Sequence, residues 1–266
     1  MKLFNVLCIG GSDSSGGAGV QADLKAVSAC GGWGLNIITA ITAQNTKGVS
    51  GIDPVDPKFV AKQLDVVLND IRVDAIKTGM LPTEEIIQVV VRKIKKYKLE
   101  NVVVDPVMIA KGGRILITGK ARQALVQKLF PLALVVTPNI PEAEVLSKTK
   151  IKTISDMKDA AANIRESGTA NVVIKGGHLP GNKKSDVTDI LYNGAGYCEF
   201  SSARIHSRNT HGTGCTYASV LAAGIAQGKS IVDAALQAKI MVAAAINNAV
   251  TLGEGYVSAN VFGEIF

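Results

Sequence analysis

The sequence predicts an α/β protein with a mainly parallel sheet and helices on both of its faces. Three observations carry this. Short β-branched runs alternate along the chain with longer amphipathic stretches, the order of strand–helix repeats. The strand candidates are apolar at nearly every position, as strands covered on both faces must be. Polar and glycine-rich motifs directly follow several of these runs, where open α/β sheets place their ligands.

In chain order, Phe4–Ile9 reads as a strand ending at Gly10-Gly11, followed by a helix from about Val20 to Cys30. Asn36–Thr42 is β-branched and reads as a strand; Asp53-Pro54 and Asp56-Pro57 punctuate a loop. A helix over Pro57–Asn69 is predicted from apolar spacing at Phe59, Val60, Leu64, Val67 and Leu68, with Pro57 near its start. Ala75–Thr78 is a brief strand. Thr83–Tyr97 is helical, with Thr83 as cap and Glu84 and Glu85 in the first turn.

Strands are also expected at Val102–Asp105, Leu134–Thr137 and Val172–Lys175. Helices are expected over Thr118–Leu129, from near Pro141, and over Ser155–Ser167. Thr188–Tyr192 and Tyr197–Phe200 flank Asn193-Gly194 and read as an antiparallel hairpin. Helices over Thr216–Gln227 and Ile231–Val250 close the chain. With no linker, repeat or low-complexity tract, residues 1–266 read as a single domain.

Composition narrows the function classes. Of 266 residues, 47% are apolar, enough for a substantial core. The net charge is +7, but the basic residues are scattered. The densest run, Arg92–Lys98, ends a helix, where it complements the dipole and faces water. No aromatics interleave with it as a single-strand binder needs, so a nucleic-acid partner is not expected. A modest positive field also suits anionic nucleotides. Cys8, Cys30, Cys198 and Cys215 form no C-x-x-C pair, which argues against zinc and a redox dithiol. No apolar run approaches a membrane span, and Leu3–Ile9 is too short for a signal segment. The expected setting is cytoplasmic.

The stretch with most chemistry is Asn209-Thr-His-Gly-Thr-Gly-Cys215, a polar turn running into an apolar helix. Free N–H groups and the helix dipole favour an anion there, and Gly212 and Gly214 let it approach closely. The same setting should lower the thiol pKa of Cys215. The plain alternative is a helix cap with a buried cysteine. Gly10–Gly19 is glycine-rich, but it is neither a Walker loop nor a correctly placed G-x-G-x-x-G. Asp23 lies one turn into the next helix. Asp105 closes a strand and suits either Mg²⁺ through water or a turn cap. Asn139 and Glu142 read equally as a ligand pair or as a capping pair. Lys175 can meet a phosphate or extend to solvent, and Lys239 is the one basic residue in an apolar helical run. His178 and His206 acquire no role.

Taken together, several segments in order resemble the ribokinase-like superfamily. Within it, the chain closely resembles the hydroxymethylpyrimidine/phosphomethylpyrimidine kinase family of thiamine biosynthesis. The segments are Gly10–Lys25, Thr39-Ala-Ile-Thr-Ala-Gln-Asn-Thr46, Lys77-Thr-Gly-Met-Leu81, Asp105-Pro-Val-Met108, Thr137–Glu144, Lys175-Gly-Gly-His178 and His211-Gly-Thr-Gly-Cys215. The resemblance implies a ribokinase-like three-layer α/β/α sandwich and two successive ATP-dependent, Mg²⁺-assisted phosphorylations. The substrate would be 4-amino-5-hydroxymethyl-2-methylpyrimidine and then its monophosphate. It implies that Gln44 reads the pyrimidine edge, with the backbone of Gly11 and Ala18, and Asp23 and Met80, completing that pocket. Cys215 stands as the proton acceptor within the Gly212, Thr213, Gly214 turn. Asp105, Asn139 and Glu142 lie near the Mg-nucleotide phosphates, with Asp105 and Glu142 holding the metal through water; apart from the resemblance, the positive charges of Lys175 and Lys239 are read as nucleotide-side. A homodimer is implied as well.

Dual-activity relatives that also phosphorylate pyridoxal carry a second cysteine after the Asp-Pro-Val-Met segment. This chain has Ala110 there, in a glycine-rich stretch, Ala110–Arg114, suited to a moving lid. The alanine favours the thiamine pathway; the nearest alternative is a vitamin B6 kinase, with an NAD-binding oxidoreductase suggested only by the early glycines.

Overall fold

The computed structural model describes residues 3–109, 113, 115–179, 186–205 and 211–263. Ala110, most of the lid candidate, His206, Asn209 and Thr210 lie outside the described residues. The strands are β1 (Asn5–Ser12), β2 (Trp33–Asn45), β3 (Gly48–Pro54), β4 (Ala75–Thr78), β5 (Val102–Val104), β6 (Val135–Val136), β7 (Asn171–Ile174), β8 (Val187–Tyr192) and β9 (Tyr197–Ser202). They form one sheet in the order β3-β2-β1-β4-β5-β6-β7-β8-β9. From β2 across to β7 all neighbours are parallel. Antiparallel pairs β2–β3 and β7–β8–β9 finish the two edges.

The helices are α1 (Gly19–Ala29), α2 (Pro57–Asp70), α3 (Glu84–Lys96), α4 (Gly119–Ala124), α5 (Ile140–Ser147), α6 (Ile154–Arg165), α7 (Thr213–Ala226) and α8 (Ile231–Asn247). Alternate strand residues feed two cores. Leu7, Ile9, Ile76, Val104 and Val136 pack with α2 to α6 on one face. Val6, Cys8, Ala75, Val103 and Val135 pack with α1, α7 and α8 on the other. This is the three-layer α/β/α arrangement, and it explains why the central strands are apolar toward both layers.

The structure differs from the sequence expectation at several points. β3 occupies a stretch that reads as loop. Its residues, Gly-Val-Ser-Gly-Ile-Asp-Pro, have little strand propensity, and pairing with the long β2 imposes the conformation. β1 continues through Gly10 and Gly11 to Ser12, with a register shift against β2 at that point. The helix expected over Thr118–Leu129 is regular only to Ala124; it widens into a π-helical turn at Leu125–Leu129 and ends in a tight turn containing Pro131. α7 begins at Thr213 rather than Thr216, so the glycine turn is itself part of the helix start. α8 stops at Asn247.

Candidate active site

Because β1, β2 and β4 to β7 point the same way, the segments leaving them gather along one edge. Gln44 sits near the end of β2 and Gly11 near the end of β1; Met80 follows β4, Asp105 follows β5, Asn139 follows β6 and Lys175 follows β7. They surround a cavity of about 530 Å³, which also receives the first turn of α7. Every site residue expected from the sequence lines this cavity: Gly11, Ala18, Asp23, Gln44, Met80, Asp105, Asn139, Glu142, Lys175, Gly212, Thr213, Gly214, Cys215 and Lys239.

The α7 turn is built from conformations that need glycine. Gly212 caps the helix at φ +81°, and a Cβ there would lie 1.9 Å from the Gly17 carbonyl oxygen. Gly214 faces the cavity: a Cβ on it would sit 3.6 Å from Lys175 Nζ and 3.7 Å from Asp105 Oδ2. The helix start therefore looks directly onto the Asp105–Lys175 pair, joined at 2.9 Å.

Around that pair the charges are held by neighbours. Thr137 Oγ1 donates to Asp105 Oδ1. Burial disfavours the Lys175 charge, but Asp105 and Glu142 more than restore it, and its pKa is raised. Asn139 and Glu142 form a reciprocal capping box at α5, each side chain accepting the other's backbone N–H at 2.9 Å. The capping and site readings thus coincide, since Glu142 is also in the cavity wall. Burial carries the Glu142 carboxyl up to about 7, despite Lys175. Lys239 Nζ reaches back from α8 to Asp189 Oδ2 at 3.2 Å and the Val187 carbonyl at 3.0 Å.

One expectation needs correction, and two lining residues are held by the protein itself. The helix start argues for a lowered Cys215 thiol pKa; burial instead carries it up to about 11, outweighing Lys77 and the backbone hydrogen bond with Gly19, which act in the other direction. Asp23, in the cavity wall, is buried and accepts from Lys77 Nζ at 2.7 and 2.8 Å and from Ser219 Oγ at 2.8 Å. Its carboxylate is committed to the protein. Ala18 lines the cavity, and its backbone N–H donates to Asp13 Oδ2 at 2.8 Å.

Four residues at the site carry no role in the sequence reading. Lys77 is 1% exposed, and although burial opposes its charge, Asp23 raises its pKa. A lysine inside a four-residue apolar strand was the available signal, because such a charge must find a partner. Asp189 receives Gly176 N–H at 2.8 Å as well as Lys239. Asp13 and His211 are paired at 3.0 Å beside Gln44. These partners are far apart in sequence, and only folding brings them together.

Similarity to known proteins extends over nearly the whole chain. Residues 13–260 match the phosphomethylpyrimidine kinase family. The chain is 51% identical, over 96% of its length, to a thiamine biosynthesis bifunctional protein of Geobacter sulfurreducens, of which it spans 52%. It is 42% identical, over 98% of its length and 96% of the relative's, to a hydroxymethylpyrimidine/phosphomethylpyrimidine kinase of Bacillus subtilis. Among solved structures, an ADP complex of Bacillus subtilis pyridoxal kinase superposes with a TM-score of 0.90 at 38% identity, covering 97% of both chains.

Proposed function

We propose that this chain, which belongs to the phosphomethylpyrimidine kinase family, phosphorylates 4-amino-5-hydroxymethyl-2-methylpyrimidine with ATP, and then phosphorylates the monophosphate to the pyrophosphate. The observation that carries this is the reach of one cavity. It runs from the Gln44 amide, past the α7 turn with Cys215, to the Asp105–Lys175–Glu142 cluster. A ring with a hydroxymethyl arm fits the first part and a polyphosphate the last, so the two meet at the helix start.

The roles come from chemistry. The Gln44 amide offers both a donor and an acceptor to an aminopyrimidine edge. Backbone N–H groups of the Gly212–Cys215 turn receive the transferring phosphoryl group. Lys175 and Lys239 supply positive charge toward the phosphates. Cys215 takes the hydroxyl proton. With its thiol near 11, the sulfur gives up its own proton only rarely at neutral pH. Turnover at neutral pH then runs through the small thiolate fraction, which takes the hydroxyl proton as the new P–O bond forms; a loose transition state tolerates this because nucleophile activation matters less than positioning.

The donor set also fits Mg²⁺. Two carboxylates, Asp105 and Glu142, border the phosphate region, and the described residues hold no cluster of three His, Cys, Asp or Glu side chains able to cage an ion. Such a site suits a hydrated cation shared with phosphate oxygens, which Asp105 and Glu142 would hold through water. When bound, it would neutralise charge on the β- and γ-phosphates. A homodimer, a cytoplasmic setting and a single kinase domain over residues 1–266 belong to the same reading.

A vitamin B6 kinase is the second reading, favoured by the superposition on pyridoxal kinase. Against it, position 110 is alanine and offers no thiol to pyridoxal. Coupled assays of ADP release with the pyrimidine alcohol, its monophosphate and pyridoxine decide between them. A higher kcat/KM for both pyrimidines is expected; a large preference for pyridoxine overturns the proposal.

A further inference from the structure

We propose that Asp13 and His211 form a positioning dyad that fixes which way round the Gln44 amide faces its ligand, and so sets a preference for an aminopyrimidine edge. The inference deepens, and rests on, the reading of Gln44 as the ring-recognising residue.

Four donors converge on the Asp13 carboxylate. Oδ1 accepts from Ser15 N at 2.8 Å and Ser15 Oγ at 2.7 Å; Oδ2 accepts from Ala18 N at 2.8 Å and stands 3.0 Å from His211 Nε2. The group is 2% exposed. Burial alone would favour its neutral form, but the bonds from His211 and Ser15 outweigh that and hold it below the usual carboxylate range. An ionised carboxylate only accepts hydrogen bonds, so His211 Nε2 must carry a hydrogen.

That hydrogen conflicts with the Gln44 amide as placed. Gln44 Nε2 lies 3.4 Å from His211 Nε2, setting two N–H donors face to face. At the other end, Gln44 Oε1 lies 3.3 Å from Thr42 Oγ1. Thr42 has one hydroxyl hydrogen, and the Ser12 carbonyl takes it at 2.7 Å. Neither end of the amide is satisfied. Rotating it by 180° satisfies both: Oε1 accepts from His211 Nε2–H, shared with Asp13, and Nε2 donates to a lone pair of Thr42 Oγ1.

Turning the imidazole away to restore the first orientation would forfeit its contact with Asp13. The His211 backbone donates to the Val257 carbonyl and accepts from Ala259 N, and the ring abuts Gly17, where a Cβ would fall 2.5 Å from Cδ2. The rotated amide keeps one N–H and one oxygen lone pair for the cavity, in a fixed order along its edge. A ligand whose hydroxymethyl arm must face the α7 turn cannot turn over to suit. An exocyclic amine therefore meets the amide oxygen and a ring nitrogen meets the N–H. A carbonyl in place of the amine sets acceptor against acceptor.

The primary test is ¹⁵N NMR of the histidine-labelled, ligand-free protein, with His211 assigned by difference from His178→Gln and His206→Gln. The dyad requires a proton on His211 Nε2 at neutral pH; a ring protonated at Nδ1 alone overturns it. Kinetics supply the second arm, comparing the 4-amino alcohol with its 4-oxo analogue. Asp13→Asn should reduce the wild-type preference for the amine about tenfold, the scale of one charge-assisted hydrogen bond, with KM rising more than kcat falls. An unchanged preference, or a fall in kcat alone, overturns the positioning role. If Asp13→Asn fails to fold, the NMR result on the wild-type chain still decides. Turnover of neither alcohol, with Nε2 protonated, overturns the substrate reading and leaves the dyad standing.

Discussion

Cys215 shows how one residue can satisfy a motif and still contradict its simplest reading. A helix start argues for a thiolate, but the sulfur lies among apolar and paired groups, and the cost of a buried charge is larger. Its expected contribution as a base is therefore made by the small fraction of molecules that carry the thiolate. Cys215→Ala should lower kcat at least about 100-fold, the scale of losing a general base, while leaving the KM for ATP little changed. Steady-state kinetics with the purified variant checks this; near-normal turnover would assign the proton to another acceptor.

Glu142 offers a pH test at the same scale. Its folded carboxyl is raised from 4.5 to about 7 by burial. The native state therefore binds a proton that the unfolded chain has released, and stability falls as pH rises between those values. Glu142→Gln keeps the capping-box geometry and removes the titration. Urea unfolding of both proteins across that interval should show a shallower decline for the variant. Equal slopes would mean that Glu142 titrates normally.

Among elements, α7 carries the most demanding geometry, because its first turn must approach the Gly11–Gly19 segment and the phosphate region together. Its two glycines divide that work. Gly212→Ala meets a positive φ and the Gly17 backbone, so a loss of about 1–3 kcal/mol in unfolding free energy is expected. Gly214→Ala meets only ordinary contacts, and stability should hold. Its methyl group nevertheless enters the space between the helix start and the Asp105–Lys175 pair, so ATP turnover should fall. Chemical denaturation and kinetics on the two variants separate these effects; equal destabilisation would contradict the backbone argument.

For the whole molecule, the Asp23–Lys77–Ser219 cluster ties α1, the sheet and α7 together beneath the cavity floor. Lys77→Met leaves Asp23 buried without its counter-charge and should cost about 3–5 kcal/mol. The double variant Lys77→Met/Asp23→Leu removes both charges and should recover much of that loss. Thermal unfolding of the single and double variants tests the coupling, and additive losses would show that the pair does not act as a unit.

The sequence by itself determined the layered α/β class and the candidate cavity lining. Strand ends and glycine turns are local features, and a parallel sheet gathers the segments leaving its strands along one edge. Asp105, Asn139, Lys175 and Cys215 could be named for that reason, whereas Gln44 came only from the family resemblance. Tertiary structure decided the β3 edge strand, whose Gly, Ser, Asp and Pro residues carry no strand signal without β2 beside them. It also decided the electrostatics. Asp13 and His211 lie 198 positions apart and Asp23 and Lys77 lie 54 apart, so neither pair is visible along the chain. The state of a buried acid, base or thiol depends on its desolvation and its partners, and both exist only once the chain has folded.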